Sequence, residues 1–196
     1  MKNIYLLTIL FLITITASFA QDEVMEKAKN GSFYAGVNIG LPLSTSSDVA
    51  SFNIGGDIAY LFELVDNLEL GALVGYTHYI GDGTYFYENN GNTIIVDYKD
   101  ASFIPLAATA RYYFGDHKFF GGLDLGIGIN VSGDADTGLY ARPKFGFDFG
   151  TIALIASYQS ISGGTNYKNF NDGNYNNNVI KTSGFNSFNI GVEFGF

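Results

Sequence analysis

The chain has 196 residues, no cysteine and a formal net charge of −9, from 10 Lys plus Arg against 19 Asp plus Glu. The missing cysteines exclude a disulfide framework and a lipid-modified amino terminus, and the acidic balance argues against nucleic acid as a partner, because displacing its counterions takes a basic surface. Glycine (25), phenylalanine (18) and tyrosine (14) are abundant while charged residues make up only 15%, a mixture that suits a thin-walled β structure.

Met1-Lys2-Asn3 carries a small positive charge, the run from Ile4 to Ile13 is apolar, and Ser18 and Ala20 occupy small-residue positions before Gln21. This reads as a secretory signal peptide over 1–20. The apolar run is too short for a spanning helix, which needs about 20 apolar residues. Residues 21–31, with Glu23, Glu26, Lys27 and Lys29, are expected to be a periplasmic lead-in, and 32–196 to be one domain.

From residue 32 onward, large apolar residues recur at every second position, which predicts strands at 32–42, 52–63, 67–79, 102–114, 118–130, 139–149, 151–161 and 185–196. The links alternate strictly. Short ones at Leu64-Val65-Asp66, Gly115-Asp116-His117 and Gly150 are interleaved with longer polar ones at 43–51, 80–101, 131–138 and 162–184. All long loops therefore lie at one end and all tight turns at the other. The pattern predicts an all-β fold: an eight-stranded antiparallel up-and-down transmembrane β-barrel with short periplasmic turns and longer extracellular loops.

The parities support this. Stripes such as Phe33, Ala35, Val37, Ile39 and Leu123, Leu125, Ile127, Ile129 are apolar, whereas Asp57, Glu63, Glu69, Arg111, Lys118, Asp124, Arg142, Lys144, Asp148 and Glu193 all fall on the opposite parity. Lipid excludes charge from a barrel's outer face, so the charged parity is assigned to the interior. Gly36, Gly40, Gly55, Gly71, Gly75, Gly122, Gly126, Gly128 and Gly146 share that parity and suit a crowded lumen. Aromatic residues gather at both strand ends, with Tyr60, Phe62, Tyr112, Phe114, Phe119, Phe147, Phe149, Phe194 and Phe196 by the turns and Phe52, Tyr76, Tyr158 and Phe188 toward the loops. They read as two interfacial girdles. A soluble, lipocalin-like barrel is the competing fold and would turn the apolar stripe inward. Pro105 and Pro143 fall inside proposed strands, where bulges near the outer rim are expected to absorb them.

The closing segment Asn189-Ile190-Gly191-Val192-Glu193-Phe194-Gly195-Phe196 alternates to its last residue. It is expected to pair with the strand that begins near Ser32. It looks like the assembly signal of outer-membrane barrels, with Asn189, Gly191, Phe194 and Phe196 at its key positions. With the strand count and loop asymmetry, the mature chain resembles the small eight-stranded outer-membrane barrels, the group of OmpX and the transmembrane domain of OmpA. The resemblance implies outer-membrane localisation in a Gram-negative bacterium, outer-membrane lipids and the barrel assembly machinery as partners, and a lumen without an open channel. The chain runs no further than its eighth strand, so no peptidoglycan-binding domain is expected. The Asn-rich stretch 166–178 resembles surface proteins of the Bacteroidota.

Inside such a barrel Asp57, Glu69, Arg111, Asp124, Arg142, Lys144, Asp148 and Glu193 share one space, and buried charges are tolerable only when paired. They are expected to form an ion-pair network that plugs the lumen. No catalytic residue, cofactor or metal is assigned. His117 falls in a turn. His78 falls near the outer end of its strand on the lipid parity, with Asp82, Asp97 and Asp100 as nearby partners should it serve as a base. Asp134-Ala135-Asp136-Thr137-Gly138 lacks the remaining ligands of a calcium loop. The expected function is a non-enzymatic envelope protein. One alternative is an adhesin or receptor binding an extracellular ligand through loops 80–101 and 162–184, using Tyr79, Tyr85, Phe86, Tyr87, Tyr167, Phe170 and Tyr175. A rim-located lipid or peptide enzyme is the other.

Overall fold

A computed structural model describes residues 31–89, 92–166 and 181–196. The segment 1–20 expected to be a signal peptide, nearly all of the expected lead-in and the stretch 167–180, which carries Tyr167, Phe170 and Tyr175, lie outside the described residues. The described residues form twelve strands: β1 (Ser32–Leu43), β2 (Ala50–Val65), β3 (Leu68–Gly81), β4 (Thr84–Asn89), β5 (Asn92–Asp97), β6 (Ala101–Phe114), β7 (Phe119–Ser132), β8 (Gly138–Asp148), β9 (Ile152–Ile161), β10 (Thr165–Asn166), β11 (Lys181–Thr182) and β12 (Phe185–Gly195). Eight of them close into a barrel in the order β1-β12-β9-β8-β7-β6-β3-β2. Every pairing in the ring is antiparallel. The ring is an up-and-down meander, and β12 seals it against β1 with Val37 opposite Val192 and Ile39 opposite Ile190.

Closure explains why alternation runs so cleanly along each strand. A closed sheet has no unpaired edge, so each residue faces either the lumen or the outside. The large apolar parity faces out, with Val37 62% and Ile190 60% exposed. Arg111 and Asp124, on the other parity, are fully buried. The outward stripe is the reverse of what a soluble ligand-binding barrel requires. Among the outward aromatics, Tyr112, Phe114, Phe119, Phe149, Phe194 and Phe196 lie by the turns and Phe52, Tyr76, Tyr158 and Phe188 toward the loops.

Turn chemistry sets the short end. Asn67 (φ 70) and Gly150 (φ 105) take left-handed backbone conformations in their turns, which Asn and Gly tolerate at low cost. Asn67 is a turn residue and not the start of a strand. Lys118, assigned to a strand by its pattern, belongs to the turn 115–118. At the long end, β4 and β5 pair only with each other, as do β10 and β11.

The prolines are absorbed without the expected bulges. The β3–β6 ladder passes from Val74 opposite Leu106 to Thr77 opposite Phe103, skipping the pairs at Ile104 and Pro105 and resuming in the same register. The β8–β9 ladder likewise skips Arg142 and Pro143 between Ala141 opposite Ser160 and Lys144 opposite Ser157. A proline lacks only its own donor, so losing local pairing suffices and the alternation survives. The register shift on β6 lies instead between Ser102 and Phe103, against β7.

Close approach inside the lumen is bought by glycine. A Cβ at Gly40 would collide with the side-chain oxygen of Asn189 and come within 2.6 Å of that of Asn53. Gly40→Leu should therefore reduce the folded fraction, at a cost of about 1–3 kcal/mol for overpacking. The fraction of heat-modifiable, folded protein on detergent gels measures it, with outward Ile39→Leu as the tolerated control.

Candidate functional site

The interior is stacked in layers along the barrel axis. Nearest the turns, Arg111 on β6 reaches across to Glu193 on β12, with Nη2 to Oε1 at 2.6 Å. The two strands stand diametrically opposite in the ring. The guanidinium also lies 4.3 Å from the Phe120 ring centroid and 4.6 Å from that of Tyr34, an arrangement that compensates a desolvated cation. In the middle layer Arg142 on β8 donates from Nη1 to Asp57 Oδ2 and from Nε to Asp124 Oδ2, both at 2.7 Å. Lys144 Nζ donates to Asp124 Oδ1 at 2.8 Å and to Thr109 Oγ1 at 3.3 Å.

Above the charges lies a neutral layer. Asn53 Nδ2 donates to Asn189 Oδ1 at 2.8 Å, and Asn189 Nδ2 donates to Ser187 Oγ at 3.1 Å. Ser187 and the Tyr79 hydroxyl are 3.0 Å apart, and Gln159 Nε2 donates to Tyr79 at 3.0 Å. Tyr79, Phe103, Tyr140, Ile161 and Phe185 then close the loop end as one buried cluster. A cavity of about 20 Å³ between Asp57, Arg142, Ser157 and Glu193 has room for about one water. Among the described residues, side chains span the lumen in each of these layers.

Of the eight residues expected in the network, Asp57, Arg111, Asp124, Arg142, Lys144 and Glu193 meet in ion pairs. Two do not among the described residues. Glu69 stands opposite Arg111 in the ladder, but that guanidinium points across the lumen, and Glu69 Oε1 instead accepts from the Tyr34 hydroxyl at 3.4 Å. Asp148 lies at the turn end, accepting from the Gly150 amide at 2.6 Å and the Tyr113 hydroxyl at 3.4 Å. The assembly-signal residues divide by face. Asn189 is buried in the lumen, Phe194 and Phe196 point outward, and the Phe196 amide donates to the Phe33 carbonyl at 2.8 Å. A Cβ on Gly191 would lie 2.7 Å from the Val37 carbonyl oxygen.

Tyr79 is not available to a loop ligand, since it is fully buried and hydrogen-bonded within the barrel. Its parity places it inward at the end of β3. His117 is exposed in its turn with its ring 5.7 Å from Tyr113. Asp134 pairs with Lys99 at 3.1 Å.

His78 has a different environment. It faces outward on β3, directly opposite Ser102 on β6, with Nδ1 and Ser102 Oγ 2.8 Å apart. Its Nε2 lies 3.4 Å from Asp100 Oδ2. The Tyr76 hydroxyl donates to Ser102 Oγ at 3.0 Å, and the Tyr76 and His78 rings are parallel within 8°. Asp100 was among the partners expected for His78. Asp97 instead pairs in the β4–β5 ribbon with Thr84. Ser102 was missed, because its meeting with His78 depends on a register hidden behind the long intervening loop.

No family model matches the chain, and no curated protein matches it. Among solved structures it is similar to a chain from the de novo design of transmembrane beta-barrels, at 11% identity and a TM-score of 0.45, covering 84% of this chain and 95% of that one. It is also similar to Neisserial surface protein A, at 17% identity and a TM-score of 0.44, covering 85% and 99%. The overlap is loose, and the fold rests on its own strand pairing.

Arg142→Met removes the cation that Asp57 and Asp124 share and should destabilise the barrel by about 3–5 kcal/mol. Arg142→Met combined with Asp57→Leu should recover part of that loss, because one orphaned charge leaves with its partner. Urea unfolding of protein refolded into lipid vesicles provides both values.

Proposed function

We propose that this protein is an integral outer-membrane barrel whose occluded interior serves stability rather than transport, contributing to envelope structure and presenting its long loops outside the cell. The observation that carries this reading is the outward stripe. Val37, Ile39, Leu125, Leu154, Leu139 and Ile190 are each half exposed or more, and soluble monomers rarely expose apolar patches beyond a few hundred Å². Hydrocarbon is the solvent for which that surface is cheap, and the aromatic residues at both ends suit the two interfaces. Short turns toward the periplasm and long loops outward complete an arrangement of the OmpX and OmpA transmembrane-domain type. Export through the signal peptide and recognition of the closing strand by the assembly machinery belong to the same reading.

A second reading, ligand binding by the loops, is favoured by one feature. The segment between β3 and β6 forms its own paired ribbon, β4 with β5, in register from Thr84 opposite Asp97 to Asn89 opposite Asn92. A paired ribbon is a more defined surface than an irregular loop of that length. Tyr79 is excluded from that surface. Deleting 84–97 should abolish adhesion of cells that display the protein while leaving barrel assembly, read by heat-modifiability, intact; unchanged adhesion would overturn the loop reading.

The membrane reading is tested by fractionation and by substitution. The protein should cofractionate with outer membrane and float with lipid vesicles, and a detergent-free soluble monomer would overturn the proposal. Leu125→Arg, outward near mid-strand, should cost about 2–4 kcal/mol in vesicle-refolded protein. Deleting Phe196 should lower the amount assembled in cells far more than it changes the unfolding midpoint of refolded barrel. Planar-bilayer recordings should show no large, stable open state.

A further inference from the structure

We propose that Ser102, His78 and Tyr76 form a hydrolytic site on the outer wall of the barrel, directed at ester-linked acyl chains of outer-leaflet lipids. The substrate class rests on the membrane reading above; the chemistry rests on the side chains alone. In a stripe that is otherwise largely apolar, these polar groups converge on one outward spot. The Tyr76 hydroxyl donates to Ser102 Oγ, which leaves the serine's own proton directed at His78 Nδ1, 2.8 Å away. His78 then carries its proton on Nε2, facing Asp100 Oδ2 at 3.4 Å. This is a nucleophile, a base and a carboxylate that orients the base, with the two ring nitrogens exchanged relative to the usual serine-hydrolase order.

Two further observations show that the group is held in place. Asp100 Oδ1 accepts the Gly81 amide at 2.8 Å, which anchors the carboxylate beside the end of β3. The register shift of β6 against β7 falls immediately after Ser102, and Asn130 Nδ2 clamps it by donating to the Ser102 carbonyl at 3.3 Å and the Ser132 carbonyl at 2.9 Å. Such irregularities re-aim side chains beside active sites.

The location selects the substrate. His78 lies three residues before the end of β3 at Gly81, about 10 Å along the strand at roughly 3.3 Å per residue. Outward Val74 and Leu106 lie on the barrel side of it, and the Lys99–Asp134 pair lies on the loop side. In the proposed orientation this is the boundary between hydrocarbon and headgroups, where acyl ester carbonyls lie. Ser102 is only 2% exposed, so the ester displaces the Tyr76 hydroxyl from Oγ as it enters. That hydroxyl, 3.0 Å from Oγ, is then placed to donate to the oxyanion.

The reaction balances with water as co-reactant. Ser102 Oγ bonds to the ester carbonyl carbon, its proton passes to His78 Nδ1, and the carbonyl electron pair moves onto oxygen. Collapse breaks the ester bond, and the leaving alcohol takes the proton from His78. Water then attacks the acyl-serine, giving a proton to His78 that returns to Ser102 Oγ as the fatty acid departs. Asp100 touches no reacting atom and is a positioning residue.

Full-length protein refolded in detergent, and shown folded by heat-modifiability, should be labelled by a fluorophosphonate probe on Ser102 and should hydrolyse p-nitrophenyl palmitate. Ser102→Ala should abolish both, and His78→Ala should lower the labelling rate by about 10²-fold or more. Tyr76→Phe should lower kcat by about 10²-fold. Asp100→Asn, with a heat-modifiable folded fraction equal to that of the unsubstituted protein, should lower kcat and shift the acidic limb of the pH profile of kcat, a shift that a smaller folded fraction would not produce. In vesicles of phosphatidylethanolamine or of lipopolysaccharide, fatty acid release from one arm identifies the source of the ester. Folded protein that shows neither labelling nor hydrolysis above Ser102→Ala overturns the proposal. Labelling without release in either vesicle arm overturns the lipid assignment. Failure to float with vesicles overturns only the membrane reading, because the detergent assays do not depend on it.

Discussion

Arg142 sits where this barrel's hardest energetic problem is concentrated. It bridges Asp57 on β2 and Asp124 on β7 from its place on β8, so one guanidinium neutralises carboxylates from opposite walls. A charge removed from water is costly unless it is paired, and removing one partner leaves the others exposed to that cost. The rest of the lumen follows from the need to bring these groups together. Lys144 fills the second side of Asp124, Arg111 repeats the cross-lumen contact nearer the turns, and Gln159 with Tyr79 makes a neutral crossing nearer the loops. The Arg142–Asp57, Arg111–Glu193 and Gln159–Tyr79 crossings tie strands that share no backbone ladder, so these side chains brace the ring that the hydrogen bonds close.

That bracing depends on space. An eight-stranded lumen just fits side chains, and arginines reaching across it need neighbours with none. Gly36, Gly40 and Gly191 thin one wall where the asparagines and the middle ion pairs meet, while Phe120, whose ring a Cβ on Gly146 would strike, packs beside Arg111. The outside has the opposite logic. It asks only for apolar surface and takes Pro143, while Pro105 is buried on the inward parity; both are accommodated because skipping a ladder pair does not turn a side chain to the other face. The polar group at His78 and Ser102 departs from that logic near the loop end of the outer wall.

Much of this was legible in residue order. Strand positions, inside and outside faces, the loop asymmetry and the closing partner of β12 all follow from period-two alternation, because a closed sheet leaves each residue only two directions. The membership of the lumen was equally legible, since charge parity alone places Asp57, Arg111, Asp124, Arg142, Lys144 and Glu193 inside. The departures were local. Asn67 and Lys118 read as strand residues in the sequence because a turn of two to four residues disturbs alternation very little. Tyr79, the last residue of its predicted strand, reads equally well as part of the adjoining loop's contact surface, because a large aromatic at a strand end suits either side of the rim.

Alternation along the chain specifies a one-layer β architecture with an apolar exterior and a charged interior, because side-chain period is a local property of an extended backbone. Who pairs with whom emerges once the ring is assembled. Arg111 turns to Glu193 across the lumen and not to Glu69 beside it, since the long guanidinium spans the barrel and two flanking rings fix its direction. Ser102 meets His78 because the β3–β6 register sets them opposite each other. That register is fixed by closure of the whole ring, and the intervening loop conceals it from any reading made along the chain.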